Sequence, residues 1–127
     1  EQDGDTLYYA GQRVDGNAII KKKYKGTYYT MAEQKQFAGT YISGERNNLL
    51  PHNAWMGLRV ETDTLKNGEV AIRLYMQQDG GEWEKILETI DDGVRFGKTP
   101  PITNAGLVGI RTDFMDISFD AFHVAAL

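Results

Sequence analysis

Several aromatic and cationic side chains in this chain have the types and spacing of a carbohydrate-binding surface. Trp55 and Arg59 are four positions apart, and Arg73 and Tyr75 are two positions apart, so each pair lies on one face if its segment is a strand. An aromatic ring packs against the apolar face of a pyranose, and planar polar groups bind the hydroxyls. If the two strands pair, these four side chains form one patch. The competing interpretation is that Trp55 and Tyr75 are partly buried under loops, with the arginines as solvated cover.

Basic residues elsewhere extend this predicted patch toward an acidic sugar. Lys21 and Lys23 are two residues apart, and cationic side chains bind carboxylate groups. We therefore expect an acidic polysaccharide as the ligand. The complete set of predicted carbohydrate-binding residues is Trp55, Arg59, Arg73, Tyr75, Lys21, Lys23, Arg13 and Tyr28.

Enzymatic function is the weaker interpretation, and the sequence assigns no catalytic residue. Glycoside hydrolysis needs two suitably placed carboxylates at the sugar. Glu61 and Asp63 lie at the end of a predicted strand, but the next acidic residue, Glu69, lies across a predicted turn, so an ordinary polar strand end is the favoured interpretation. A polysaccharide lyase needs a group that neutralises the uronate carboxylate and a Tyr or His that moves protons. The side chains of suitable type are Arg13, Lys21, Lys23, Tyr28, Tyr29 and His52, with Gln12 as a helper, but they match no lyase motif.

The composition of the chain excludes several other classes of function. The 127 residues include no cysteine, which removes disulfides, thiolate metal sites and cysteine nucleophiles. No apolar run reaches the roughly 18 to 20 residues of a membrane-spanning helix. The net charge of −4 disfavours nucleic acid, which requires a basic face. Residues 8–48 nevertheless carry seven basic and only three acidic side chains, so a local basic patch remains available to an anionic sugar.

The elements that position these residues are predicted to be β-strands. Residues 55–62 and 70–77 alternate apolar and polar side chains and are separated by Asn67-Gly68, a hairpin signal, so they should pair with Met56, Leu58, Val60, Ile72 and Leu74 buried. Residues 82–91 also tolerate a helix, but the flanking glycines leave a segment of strand length, and a strand is favoured.

Five further segments complete a predicted total of eight strands. They are residues 7–14, 17–24, 27–33, 106–112 and 117–127, the last with a bulge near Asp120-Ala121. Residues 34–53 and 93–104 are predicted loops. Short strands with frequent turn signals and no helical period predict one all-β domain over residues 1–127, an antiparallel β-sandwich.

Residues 106–124, Gly-Leu-Val-Gly-Ile-Arg-Thr-Asp-Phe-Met-Asp-Ile-Ser-Phe-Asp-Ala-Phe-His-Val, resemble the closing strand pair of the concanavalin A-like lectin/glucanase superfamily. Its laminin-G-like bacterial members have a similar ending. The order of residues 55–61, 72–76 and 86–92 before it is also similar, as are residues 9–16 with 20–30. The resemblance implies a jelly-roll topology and an extracellular or secreted location, with the cell surface as one option.

What the resemblance implies for function is a non-catalytic carbohydrate-binding or structural module. A polysaccharide lyase acting on a uronate-containing glycan, or the C-terminal part of one, is the first alternative. An extracellular assembly subunit without a glycan ligand is the second. The superfamily contains all of these, so the fold alone does not choose between them.

The resemblance also implies a structural calcium ion near the Phe119-Asp120 pair, with Asp120 as the expected ligand. Asp113 and Asp116 lie nearby in sequence, and Asp3 or Asp5 are candidate helpers. The alternative is that Asp120 caps local backbone N–H groups without a metal. The two histidines, His52 and His123, have no ligand spacing.

Related domains have more strands ahead of the Tyr9-Ala10-Gly11 region than this chain does, which predicts an open sheet edge. Such an edge exposes backbone N–H and C=O groups and favours association with a second copy or another chain. The competing expectation is that the loop 34–53 covers the gap with Phe37, Tyr41, Ile42, Leu49 and Leu50.

Overall fold

A computed structural model describes residues 5–42, 45, 48–104, 106, 108–111 and 117–127. Those residues form six β-strands and no helix, so they include no helix that could cross a bilayer. The strands are β1 (Leu7–Gln12), β2 (Asn17–Tyr24), β3 (Thr27–Lys35), β4 (Met56–Thr64), β5 (Val70–Gln78) and β6 (Glu84–Asp91).

The first sheet has the order β1-β2-β3 and is antiparallel throughout. Its second hairpin turns at Lys25 and Gly26, whose φ angles of 48° and 86° are those of the tight turns that match strand twist. Glycine suits the second position because it has no Cβ to clash at positive φ. The three strands predicted upstream are confirmed, with β1 ending two residues earlier and β3 two residues later than predicted.

The second sheet has the order β4-β5-β6 and is also antiparallel. The register pairs Val60 with Leu74 and Leu74 with Leu87, so alternate side chains of all three strands share one face. The predicted pairing of 55–62 with 70–77 is confirmed. The strand preferred over a helix for residues 82–91 is confirmed as β6.

The core lies between the two sheets, which gives the all-β chain a sandwich-like architecture. Ala18 and Ile20 of β2 pack in one cluster with side chains of the second sheet, namely Val70, Ile72, Leu74 and Leu87. Alternation along β2 then places Lys21 and Lys23 on the opposite, outer face. The predicted burial of Ile72 and Leu74 is confirmed.

Six strands, not the predicted eight, are present in the described part of the chain. Within the two predicted C-terminal strands, residues 106, 108–111 and 117–127 belong to no strand. Leu107 and residues 112–116, among them Asp113 and Asp116, lie outside the described residues, as does Asp3. The alternating pattern of 117–127 favours an extended backbone, but a strand also needs a partner whose groups complete the hydrogen-bond ladder, and no partner lies beside it among the described strands.

The predicted burial of Leu58 and Val60 is wrong: their side chains are 45% and 47% exposed, and Met56 is half-buried. All three lie on the core-facing side of β4. Because β4 is an edge strand, this part of its face extends beyond the cover that the first sheet supplies.

The long loop after β3 packs against the end of the first sheet. Gly16 O accepts hydrogen bonds from the Gln36 and Phe37 N–H groups, and Leu49 N–H donates to Val14 O at 2.8 Å. Leu50 is buried. The loop therefore covers the β1–β2 turn, while Leu58 and Val60 stay exposed.

Candidate carbohydrate-binding surface

Three consecutive lysines on β2 point alternately out of and into the sandwich. Lys22 is completely buried, and its Nζ lies 2.5 Å from Asp91 Oδ2 on β6. It also donates to Thr99 O at 3.1 Å and Pro100 O at 2.8 Å, so the buried ammonium group has a full set of acceptors. Lys22 is thus a structural residue, and its fixed position sets Lys21 and Lys23 on the outer face.

On that outer face, both outward-facing lysines lie close to one tyrosine ring. The register places Tyr9 opposite Lys21, and Tyr28 opposite Lys23. Lys21 Nζ is 5.6 Å and Lys23 Nζ 5.2 Å from the centroid of the Tyr28 ring, within the range of cation–π attraction. Tyr9 packs edge-on against the same ring, with centroids 6.3 Å apart and planes at 86°.

A third cation reaches this tyrosine from the distant C-terminal part of the chain. Arg111 Nη1 lies 3.5 Å from the Tyr28 hydroxyl oxygen. This contact, and then the positive charge of Lys23, lower the pKa of the Tyr28 phenol because they favour its anionic form. We call the surface formed by Tyr9, Lys21, Lys23, Tyr28 and Arg111 the Tyr28 patch.

The outer face of the second sheet carries a different arrangement, in which cations and carboxylates alternate. Arg73 Nε lies 2.7 Å from Glu88 Oε2, and its terminal nitrogens lie 3.7 Å from Glu61 and 3.9 Å from Asp63. Glu88, chiefly through its hydrogen bond, raises the pKa of Arg73. Hydrogen bonds from Lys85 and then Arg73 lower the pKa of the Glu88 carboxyl.

Tyr75 and Arg59 are brought together on this second face, as predicted. The Arg59 guanidinium lies 5.2 Å from the Tyr75 ring centroid and also pairs with Glu61. Tyr75 donates its hydroxyl hydrogen to Glu61 at 3.3 Å. The arginine is therefore already engaged by an aromatic ring and a carboxylate.

Two tryptophans lie near one end of the second sheet. Trp55 immediately precedes β4 and is exposed, and its carbonyl accepts from Asp79 N–H at 3.0 Å. The Trp83 indole packs over Gly57, where a Cβ would lie 2.8 Å from the ring. Gly57 thus provides the space for Trp83, which remains substantially exposed.

The structure divides the predicted residue set between two opposite faces. Lys21, Lys23 and Tyr28 lie on the outside of the first sheet, whereas Arg59, Arg73 and Tyr75 lie on the outside of the second. The lysines therefore do not extend the predicted patch that contains Arg59 and Arg73, because the outer faces of a sandwich point away from each other. Arg13 lies in the β1–β2 turn and pairs with Asp15 at 3.4 Å.

The other candidates for chemistry are dispersed. His52 is exposed in the loop before β4, with Nε2 2.9 Å from Asn48 O. Tyr29 faces away from the Tyr28 patch, and its ring packs on Gly97. Asp120 is exposed in the C-terminal segment, and the described residues bring no group of three His, Asp or Glu side chains together. The calcium ion expected at Asp120 stays a prediction.

Tyr9, Arg111 and Trp83 are not among the residues predicted from the sequence. Tyr9 was predictable, since pairing across the Asp15-Gly16 turn aligns Tyr9 with Lys21. Arg111 has no local signal, because only the tertiary path of the chain brings it to Tyr28. Comparison of the chain with protein-family models, with curated proteins and with solved structures gives no match.

Proposed function

We propose that this chain is a non-catalytic, extracellular carbohydrate-binding module of the concanavalin A-like jelly-roll type, which binds an acidic polysaccharide through the Tyr28 patch. The observation that carries the proposal is the position of two ammonium groups within 5.6 Å of the centroid of one exposed tyrosine ring. Two ammonium groups that converge on one ring raise the local positive potential, which attracts a carboxylate or sulfate of a glycan.

The arrangement at Tyr28 favours recognition by charge over stacking. Since lysine side chains already lie over the ring, a sugar contacts the ammonium groups, the Arg111 guanidinium and the ring edges. Lys23 Nζ also lies 4.0 Å from a carboxylate oxygen of Asp5, whose side chain is 79% exposed. An ion pair this long, with one partner well solvated, stabilises by about 0–1 kcal/mol. An incoming anionic group can displace it at little cost.

The second sheet offers less to an anionic ligand. Its outer face has three cations, Arg59, Arg73 and Lys85, and each contacts a carboxylate of the same face. Binding an acidic sugar there requires breaking these pairs and placing the sugar beside Glu61 and Glu88. We therefore propose the first sheet, where Lys21, Lys23 and Arg111 converge on Tyr28, as the binding face.

The proposal is tested by titrating the protein with a polyuronate and with a neutral glucan of the same length. We expect binding to the polyuronate that weakens steeply as salt rises, because screening acts strongly on exposed charges. The neutral glucan should bind far more weakly. Equal affinity for both glycans, or no binding to any acidic glycan, would refute the proposal.

A polysaccharide lyase is the second candidate, favoured by the lowered pKa of Tyr28 among three cations. In that reaction the phenolate takes the proton next to the uronate carboxylate while the cations neutralise that carboxylate. The bond from the β-carbon to the leaving oxygen then breaks, a double bond forms between the α- and β-carbons, and the leaving oxygen takes up a proton from the Tyr28 phenol formed in the first step. Ultraviolet absorbance of the unsaturated product distinguishes the two candidates: it should not grow during incubation with a polyuronate if the module only binds.

A further inference from the structure

The open edge of β4 combines exposed apolar side chains with a strand that lacks a neighbour. β5 pairs with one side of β4, and no described strand lies on the other side. Leu58 and Val60 face the core side of the sheet but are nearly half exposed. An edge strand with an apolar face is a template for the addition of another strand.

The C-terminal segment, residues 117–127, has the complementary properties. It belongs to no ladder, and Phe119 and Phe122 are 54% and 58% exposed, with Ile117 and Val124 similarly so. Ala121 has a φ of 54°, a conformation found at β-bulges. In a strand, a bulge there returns Phe122 and Val124 to the face that carries Ile117 and Phe119. The segment is therefore a strand-length element with one apolar face.

Within one copy of the chain, residues 117–127 do not easily reach the open edge of β4. Arg111 lies at Tyr28 on the outside of the first sheet, and β6 packs against β2 and β3. The straight line from there to the open edge of β4 combines about three strand spacings of roughly 4.8 Å with a perpendicular sheet spacing of roughly 10 Å, about 17 Å in all. The six residue steps from Arg111 to Ile117 span at most about 20–22 Å when fully extended, which leaves little length for a path around the sheets instead of through the core.

We propose that residues 117–127 of a second copy of the chain add as a strand to the open edge of β4, and that the exchange is reciprocal. Two copies related by a two-fold axis then cover both apolar faces and complete both ladders. Phe119 comes to lie beside Leu58 and Val60, while Ser118 and Asp120 fall on the side of Arg59, which is half exposed. Because Arg59 already pairs with Glu61, the cover of the apolar face carries the proposal, and not a contact between Asp120 and Arg59. The proposal is independent of any glycan.

Single cysteines test the exchange directly, because the chain has none of its own. Chains carrying Val60→Cys are mixed under mild oxidation with chains carrying Phe119→Cys, and disulfides between unlike chains are identified by mass. Such a bond requires Cα atoms within about 7 Å. Leu58→Cys is tested in parallel, so that a register one pair away is also detected. Val94→Cys, exposed in the loop beyond β6 at the other edge of the sheet, is the control.

We expect mixed disulfides from Val60→Cys or Leu58→Cys with Phe119→Cys well above the Val94→Cys control, and a dimer of the unmodified chain in sedimentation. No excess over the control would overturn the proposal. A chain that carries both cysteines and closes on itself as a monomer would also overturn it, since the segment then binds its own β4. Far-ultraviolet circular dichroism of each variant establishes that it is folded.

Discussion

Lys22 and Asp91 form an ion pair that joins the two sheets, with Nζ 2.5 Å from Oδ2 and neither side chain exposed. Asp91 also accepts the hydroxyl hydrogen of Tyr8 at 2.6 Å, and the Tyr8 oxygen accepts from Ile102 N–H. With Lys22 bound to Thr99 O and Pro100 O, these groups fasten the loop after β6 to the first sheet. The same pair fixes the orientation of β2 and hence of the Tyr28 patch.

Replacing Lys22 by methionine should destabilise the fold by about 3–5 kcal/mol, because it leaves the Asp91 carboxylate buried without its cation. The free energy of unfolding in urea measures this loss. The double variant Lys22→Met/Asp91→Leu removes both charges and should be less destabilised than the sum of the two single variants. Additive losses would mean that the two residues do not act as a pair.

Stability should fall in alkali through Tyr8. Burial, and then the hydrogen bond to Asp91, raise the pKa of the Tyr8 phenol well above its usual value of about 10. Above about pH 10 the unfolded chain releases this proton while the folded chain retains it, so stability present at lower pH is lost as pH rises. The urea midpoint of the natural chain should therefore drop more steeply above about pH 10 than that of Tyr8→Phe. Parallel curves would contradict the assignment.

Alanine variants of two glycines with positive φ distinguish the cost of backbone strain from the cost of steric overlap. Gly97 has a φ of 66°, and a Cβ there would overlap the Tyr29 ring, whereas Gly68 has a φ of 85° and nothing within 4 Å. Both alanine variants incur the backbone penalty, but Gly97→Ala should cost about 1–3 kcal/mol more because the packed ring must shift. Thermal unfolding of the two variants compares these costs, and similar losses would show that the loop yields freely.

Local patterns predicted strands where a partner strand follows directly in sequence. The alternation in residues 70–77, with turn residues on both sides, predicts a strand whose neighbours are the next segments along the chain, and β4-β5-β6 has that order. Residues 117–127 also alternate, except at the bulge predicted near Asp120-Ala121. Alternation identifies a face but not a partner, so the ladder predicted there is absent.

Two features depend on how one sheet lies over the other: the burial of side chains on an edge strand, and the set of residues that come together at a site. Leu58 and Leu74 have the same pattern, yet only Leu74 lies under the opposite sheet. The grouping of Lys21 and Lys23 with Arg59 was avoidable, because outward residues of two facing sheets cannot meet. The contact of Arg111 with Tyr28 was not predictable from either segment.

The most direct test of the proposed carbohydrate-binding surface compares two double variants by calorimetric titration with a polyuronate. Lys21→Gln/Lys23→Gln and Arg59→Gln/Arg73→Gln remove the same charge from opposite faces. The lysine variant should lose about tenfold or more in affinity, since each exposed charged contact contributes on the order of 1 kcal/mol. The arginine variant should bind as the natural chain does. Equal losses in both variants, or a loss in the arginine variant alone, would contradict binding at the Tyr28 patch.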